Sequence, residues 1–257
     1  MNKLSPAGDL VWTKEIGTSA FESATGVAAD KAGNAVVVGV TRGDLVPPNF
    51  NHGTYSPFIS KLDANGDTIW THQIREFGYG SATSVALDDA GNLYVAGAVG
   101  GSEATADAFV SKLDGSGNQL WTRRMGGPYQ DDASAIAVDG WGNIFISGST
   151  AKHSASSAHR DFDAYISKLN ENGDLIWTVP FGIPGGNEYA HGVAVDDRGG
   201  AYVSGQGFGL GGVALGGYDG FVAKVAEVPE PSSLGAIALG VIVFAARLSR
   251  ITSPSFS

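Results

Sequence analysis

The chain has 257 residues, a formal net charge of −10 and no cysteine. That length admits one large domain or two small ones with a sizeable core. The acidic balance argues against duplex nucleic acid as a partner, because phosphate binding needs clustered Lys and Arg, and the lack of Cys excludes disulfides and thiolate metal sites.

Glycine, at 38 residues, is about twice its usual share of roughly 7%. Charged residues make up only 16%. This composition suits many tight turns and close backbone contacts better than long helices. Met1-Asn-Lys-Leu reads like the n-region of a signal peptide, but Ser5-Pro-Ala-Gly-Asp9 stands where an apolar h-region belongs. No export signal is expected at the N-terminus.

From there the chain is a repeat. Phe58-Ile-Ser-Lys-Leu-Asp-Ala-Asn-Gly-Asp-Thr-Ile-Trp-Thr71 recurs from Phe109 to Thr122 and from Tyr165 to Thr178. A headless copy runs from Lys3 to Thr13 and a tailless one is Phe221-Val-Ala-Lys-Val225. The Trp positions 12, 70, 121 and 177 are spaced by 58, 51 and 56 residues. Periods above roughly 40 with β patterning point to propeller blades. Each unit carries four short β-like runs; in the second they are Ala82–Leu87, Asn92–Ala96, Ala108–Leu113 and Gln119–Thr122. The first and second runs are joined by Asp88-Asp-Ala-Gly-Asn92 and its relatives at 30–34, 139–143 and 196–200. The third and fourth are joined by Asp63-Ala-Asn-Gly-Asp67 and its relatives. Both read as short hairpin loops, with Gly where φ is positive and Asp or Asn bonding local amides. Apolar groups on both faces of Phe109-Val-Ser-Lys-Leu113 fit a sheet sandwiched between two others. Small Ala and Ser residues in the first run would let blades approach closely near a narrow axis.

The fold predicted is all-β: a propeller of about four four-stranded antiparallel blades. The last unit has only three runs, Ala190–Val195, Ala201–Ser204 and Phe221–Lys224, and Asp9–Glu15 is expected to supply its fourth strand. That pairing would remove two exposed sheet edges. A second arrangement fits equally: Met1 is an internal start and the blades are an arc of a larger ring.

The D-A-[FY]-[IV]-S-K-L…G-[DN]-x-[LI]-W-T and V-A-x-D-x-x-G-N-x-[YF]-[VI] patterns resemble the SBBP β-propeller repeat of bacterial surface and secreted proteins. The resemblance covers residues 1–225, with Ser56-Pro57 in place of Asp-Ala and Gly200 in place of Asn.

One end of the blades carries the long, variable segments Arg42–Tyr55, Val99–Ala106, Thr150–Phe162 and Gln206–Tyr218. Loop diversity on a repeated scaffold is where binding usually sits. The links on that face add Phe21, Glu22, Tyr79, Tyr129, Asp131, Asp132, Glu188 and Tyr189. Aromatic platforms beside carboxylates suit a sugar or a cation; the competing reading is that these residues pack against their own neighbours. Asp63–Asp67 lacks the Gly and bidentate Glu of a calcium loop and reads as turn chemistry. His52, His72, His153, His159 and His191 show no ligand spacing, so no metal and no cofactor are expected. Arg42-Gly-Asp44 is a three-residue match with little weight. The Trp residues are expected to pack in the core or between blades, and the Lys at 3, 61, 112, 168 and 224 to make strand-edge or inter-blade contacts. Neither a G-x-S-x-G elbow nor a P-loop is present, so no catalytic residue is assigned.

Beyond 225 the composition changes. Residues 226–233 form a Pro-rich linker, 234–250 an apolar segment with flanking Arg247 and Arg250, and 251–257 a tail. As a helix, the uncharged core Leu234–Ala246 would be about 20 Å long, against a hydrocarbon slab of roughly 30 Å. A short membrane helix with snorkelling arginines and a helix packed on the propeller are both compatible with it. The order Val-Pro-Glu-Pro, apolar helix, basic residues resembles the PEP-CTERM sorting signal. That resemblance implies that Pro229, Glu230 and Pro231 are read by an exosortase-type membrane protease. It also implies that the protein is exported, anchored in the inner membrane, then moved to the surface or matrix. The combined expectation is a non-catalytic exported propeller in surface binding or matrix structure, with a polysaccharide or protein ligand. A propeller enzyme acting on glycans through the variable face, and a cytoplasmic scaffold, are the alternatives.

Overall fold

The computed structural model describes residues 1–46, 54–74, 78–100, 102, 105–152, 161–208 and 217–225. The expected hydrophobic C-terminal helix, the motif Pro229–Pro231, Arg247 and Arg250 lie outside the described residues. Among those described, no helix is long and apolar enough to cross a membrane.

Every described element is a strand. Three antiparallel four-stranded meanders follow one another along the chain. Blade 1 is β3 (Glu22–Ala29), β4 (Ala35–Thr41), β5 (Ser56–Leu62) and β6 (Thr68–Gln73). Blade 2 is β7 (Tyr79–Leu87), β8 (Leu93–Gly100), β9 (Asp107–Leu113) and β10 (Gln119–Met125). Blade 3 is β11 (Asp131–Val138), β12 (Ile144–Lys152), β13 (Asp161–Leu169) and β14 (Leu175–Phe181). A three-stranded sheet follows, β15 (Tyr189–Val195), β16 (Ala201–Gly207) and β17 (Asp219–Val225), as the strand count predicts. The N-terminal segment departs from expectation. β2 (Leu10–Thr13) pairs with β1 (Asn2–Leu4) in a separate hairpin, not with β17. β1 and β2 stand where the third and fourth strands of a blade preceding blade 1 would stand. Lys3 and Trp12 both donate to the Ala64 carbonyl, and Lys112 and Trp121 both donate to that of Glu171 two junctions further on.

The turns are built alike. Asp30 Oδ1 accepts the amides of Ala32 and Asn34, and Oδ2 accepts the Asn34 side chain at 2.8 Å; Asp114 and Asp139 repeat the arrangement, and Asp88 holds the amide and side chain of Asn92 in the same way. Asp63 does the same with its amides, which settles that loop as turn chemistry. A one-residue bulge interrupts each first strand, at Thr25, Thr83, Ser134 and His191. Bulges increase local twist and re-aim a side chain. Here the Thr25 and Thr83 hydroxyls are aimed at the next blade, onto the carbonyls of Ala82 and Ala133. The bulge also drives the first-strand carbonyl into the second strand. A Cβ on Gly97 would collide with the Ser81 carbonyl oxygen and press on the Phe109 ring. Gly39 and Gly205 are confined in the same way.

The core is the set of junctions. Ile59 of blade 1 clusters with Ala82 and Val85 of blade 2, Val110 with Ala133 and Ile136, and Ile166 with Ala190 and Val203. The terminal faces lack that cover. Val27 is 63% exposed where its counterparts Val85 and Ile136 are 8% and 7%, and Val222 is 47% exposed where Ile59, Val110 and Ile166 are buried.

Gly91 and Gly173 have nearly the same φ, +83° and +80°, but a Cβ on Gly91 meets open space while one on Gly173 meets the Trp121 ring at 3.0 Å. Gly91→Ala is expected to cost about 1–2 kcal/mol from left-handed backbone alone. Gly173→Ala is expected to cost roughly 1 kcal/mol more by displacing the ring. Equal shifts in urea midpoint would show that the Trp does not bear on that turn.

Candidate functional site

The bonded registers place the starts of the first and third strands and the ends of the second and fourth at one end of every sheet. This end carries the variable segments, and all eight predicted link residues lie on it. They do not converge on one place.

Tyr79 belongs to an aromatic row across blades 1 and 2. Phe21 meets Tyr55 at 6.0 Å and Tyr55 meets Tyr79 at 5.7 Å, both edge to face, and the Arg42 guanidinium lies 5.0 Å over the Tyr55 ring. Tyr189 belongs to a second row on blade 3 and the three-stranded sheet, with Phe162 at 5.4 Å and Tyr218 at 6.3 Å. Tyr129 is exposed at the same end.

The carboxylates hold the links closed. Glu22 accepts from the Thr18 amide and from the hydroxyls of Thr18 and Thr41; Asp131 accepts from the Gly127 amide at 2.7 Å; Glu188 accepts from the Ile183 amide. Each therefore ties the link entering its own blade. Asp132 points the other way and accepts both the amide and hydroxyl of Ser149. Burial raises the Asp132 carboxyl above its usual range despite those bonds, and Asp131 adds repulsion.

An acidic group lies under the second aromatic row. Asp163 is buried and ion-paired with Lys152, Asp161 accepts from the Gly185 amide, and Glu188 is fully buried with Oε1 lacking a well-formed hydrogen bond. Burial lifts the Glu188 carboxyl above its ordinary value, with Asp163 and Asp161 adding to it, against the amides of Ile183 and Phe208. Asp161 and Asp163 carry no sequence pattern that marks them; the bridge between Phe162 and Asn187, with the Glu188 amide donating to the Phe162 carbonyl at 2.7 Å, brings them beside Glu188. On the blade 1 side, burial of Glu22 is outweighed by donors from Thr18, Thr41 and Gly43, which hold it low. Among the described residues no group of three His, Asp or Glu is arranged to hold a metal ion.

Trp12, Trp70 and Trp121 and Lys3, Lys61 and Lys112 reach the next blade, whereas Lys168 lies over Phe145 and Lys224 on Tyr202 and Asp196 of their own sheets. Trp12 and Trp121 lie over the next blade's turn glycines, Gly66 and Gly173, and Trp70 lies over Gly117. Lys61 donates to the Gly115 carbonyl and pairs with Asp30 at 3.5 Å. His72 sits beside Trp70 at 5.0 Å, and His52, His153 and His159 lie outside the described residues. Trp141, which carries no repeat signal, is the exposed tryptophan of the short-turn end.

Two family descriptions match parts of the chain: a β-propeller repeat, SBBP, at residues 120–151, and a PEP-CTERM protein-sorting motif at residues 227–250. The chain carries one matched copy of the SBBP repeat and one PEP-CTERM sorting motif. The repeat match runs from β10 into β12, across the junction of blades 2 and 3. Regulatory protein FlaEY of Caulobacter vibrioides is 28% identical over 146 residues, which is 48% of this chain and 15% of that protein. A protein of unknown function from Dyadobacter fermentans superposes with a TM-score of 0.52 at 13% identity, over 79% of this chain and 65% of that one. A polysaccharide lyase structure, an ulvan lyase, aligns with a TM-score of 0.48 at 12% identity, over 77% of this chain and 54% of that one. The chain thus spans less than two thirds of each of these proteins.

The raised Glu188 carboxyl sets a pH dependence. Its protonated form suits the fold, so that contribution is present below the usual carboxylate range and is lost as pH rises through the folded value. Glu188→Gln is expected to raise the urea midpoint at about pH 7 and to leave it unchanged near about pH 4. The same change at both pH values would remove the assigned cause.

Proposed function

We propose that this is an exported, non-catalytic surface propeller. On this reading it is tethered in the inner membrane by its C-terminal segment, then released by an exosortase-type protease to act in binding or matrix structure. The observation that carries the reading is the PEP-CTERM match at residues 227–250, directly after the propeller strands. Within that match Pro229, Glu230 and Pro231 are the proposed recognition residues. Arg247 and Arg250 are proposed to hold the far end of the apolar segment on the cytoplasmic side.

The variable-loop end is the proposed contact surface. Its two aromatic rows, Phe21–Tyr55–Tyr79 and Phe162–Tyr189–Tyr218, are spaced like stacking platforms and lie beside carboxylates. This arrangement supports a polysaccharide or protein ligand. The non-catalytic part of the reading draws on Asp131 and Glu188, whose carboxylates are buried and bonded to their own link amides.

The test is fractionation of the full-length product in its own host, compared with a variant carrying Ala at 229, 230 and 231. The unaltered protein is expected at the surface or in the medium in a shortened form, and the variant to stay uncleaved in the inner membrane. Recovery of both in the soluble cytosol would overturn the reading. Product formation from a polysaccharide, lost on Glu188→Gln, would replace the binder with an enzyme.

A further inference from the structure

The fourth strands of blades 1 and 2 correspond residue by residue. After the Trp-Thr pair, the next residue is His72 in blade 1 and Arg123 in blade 2. At the junction of blades 2 and 3, the Arg123 guanidinium crosses to the turn between β13 and β14. Its Nε donates to the Gly173 carbonyl at 3.2 Å and its Nη2 to that of Asn172 at 3.0 Å. It lies 5.6 Å over the Trp121 ring and 4.0 Å from the Asp174 carboxylate. The chain thus closes this junction with a guanidinium of its own, held by two turn carbonyls, an indole face and a carboxylate.

The junction of blades 1 and 2 has the same frame without that group. Ser116, Gly117 and Asn118 stand in the positions of Asn172, Gly173 and Asp174, and Trp70 in that of Trp121. Gly117 shares the left-handed backbone of Gly173, with φ of +89° against +80°. Among the described residues, no donor is bonded to the Ser116 or Gly117 carbonyl. The His72 ring rests against Gly117 and lies 5.0 Å from that of Trp70. An imidazole ends sooner than an arginine side chain, and beside it a groove of about 580 Å³ opens between the two blades. Ile59, Ile74 and Leu113 give the groove an apolar side, and Asn118 and Gln119 a polar one. Both walls belong to complete four-stranded blades.

We propose that this groove binds an arginine side chain of a partner polypeptide. The guanidinium takes the place that Arg123 fills one junction further on. It donates to the Ser116 and Gly117 carbonyls and lies on the His72 ring, which is itself backed by Trp70, while its stem runs along the apolar side. Arginine suits the site better than lysine, because its planar fork meets two adjacent carbonyls and stacks on ring faces, which an ammonium does not. The groove exceeds a guanidinium in size, and the amides of Asn118 and Gln119 can bond the main chain on either side of the arginine. The chain's net charge of −10 favours approach of a basic segment. With Asn118 where the next junction has Asp174, the ligand is held without a carboxylate, which suits a reversible contact. The groove is separate from the two aromatic rows, and its occupancy does not depend on the proposed route to the surface.

The test titrates the isotopically labelled full-length chain, in mild detergent, with acetyl-Gly-Arg-Gly-amide and follows the tryptophan indole N–H signals, assigned by Trp→Phe substitution. The Trp70 signal is expected to shift saturably while that of Trp121 stays in place. Acetyl-Gly-Lys-Gly-amide and methylguanidinium are each expected to bind about tenfold more weakly. His72→Arg supplies the guanidinium from within the chain, and is expected to abolish the shift and raise the urea midpoint. Asn118→Asp, at an exposed turn position, restores the carboxylate of the next junction and is expected to tighten the arginine probe about threefold or more. No saturable shift at Trp70 would overturn the proposal, as would equal binding of the lysine probe. Equal binding of methylguanidinium would leave a small-cation site and overturn the polypeptide partner. A shift undiminished by His72→Arg, or an affinity indifferent to Asn118→Asp, would place the probe elsewhere and also overturn it.

Discussion

The structure depends on one repeated contact, a β-branched side chain of one sheet resting on an alanine of the next. With a β-carbon as the whole side chain at 82, 133 and 190, the first strand of each blade lets the preceding sheet come close, and all three alanines are fully buried. Burial of an apolar side chain contributes about 1.5–3 kcal/mol, so Ile59, Val110 and Ile166 fasten their junctions more firmly than exposed ion pairs do. Lys31–Asp89 spans the turns of blades 1 and 2 at 2.7 Å, yet both groups are in water, where such pairs are worth little.

The bulges add a polar contact to that apolar one. By inserting one residue into each first strand, the chain turns the Thr25 and Thr83 hydroxyls onto the neighbouring carbonyls of Ala82 and Ala133. The displaced carbonyl then needs room, and the second-strand glycine beneath a third-strand aromatic ring provides it. Farther out, the same neighbours are joined by Trp on turn glycine and Lys on turn carbonyl. The two junctions among blades 1, 2 and 3 are thus each fixed at three places by residues that recur at one period, and a series of near-identical blades follows.

Much of this was readable from the chain. The strand order, the four-four-four-three count, the turn chemistry at Asp30, Asp63 and Asp88, and the inter-blade place of Trp12, Trp70, Trp121, Lys3, Lys61 and Lys112 all follow from patterns that recur with a fixed spacing. What escaped were features that depend on register across strands. Nothing local marks Thr25, Thr83, Ser134 and His191 as bulges, nor tells that Asp161 and Asp163 lie beside Glu188. Asp9–Glu15 was expected on β17 because the strand count allowed it. The structure keeps β2 on β1 because Lys3-Leu4 repeats the third-strand motif and is only a short turn away. The link acids were correctly placed at the variable end, but Asp131 and Glu188 turn inward to their own amides, which spacing alone does not reveal.

The junction claim is tested most directly by placing the same larger side chain at equivalent first-strand alanines and comparing urea midpoints. Ala133→Leu enters a closed junction and is expected to cost about 1–3 kcal/mol through overpacking. Ala24→Leu enters an open face and is expected to stay within about 0.5 kcal/mol of the unaltered chain. Equal losses at both positions, or none at Ala133, would contradict the account.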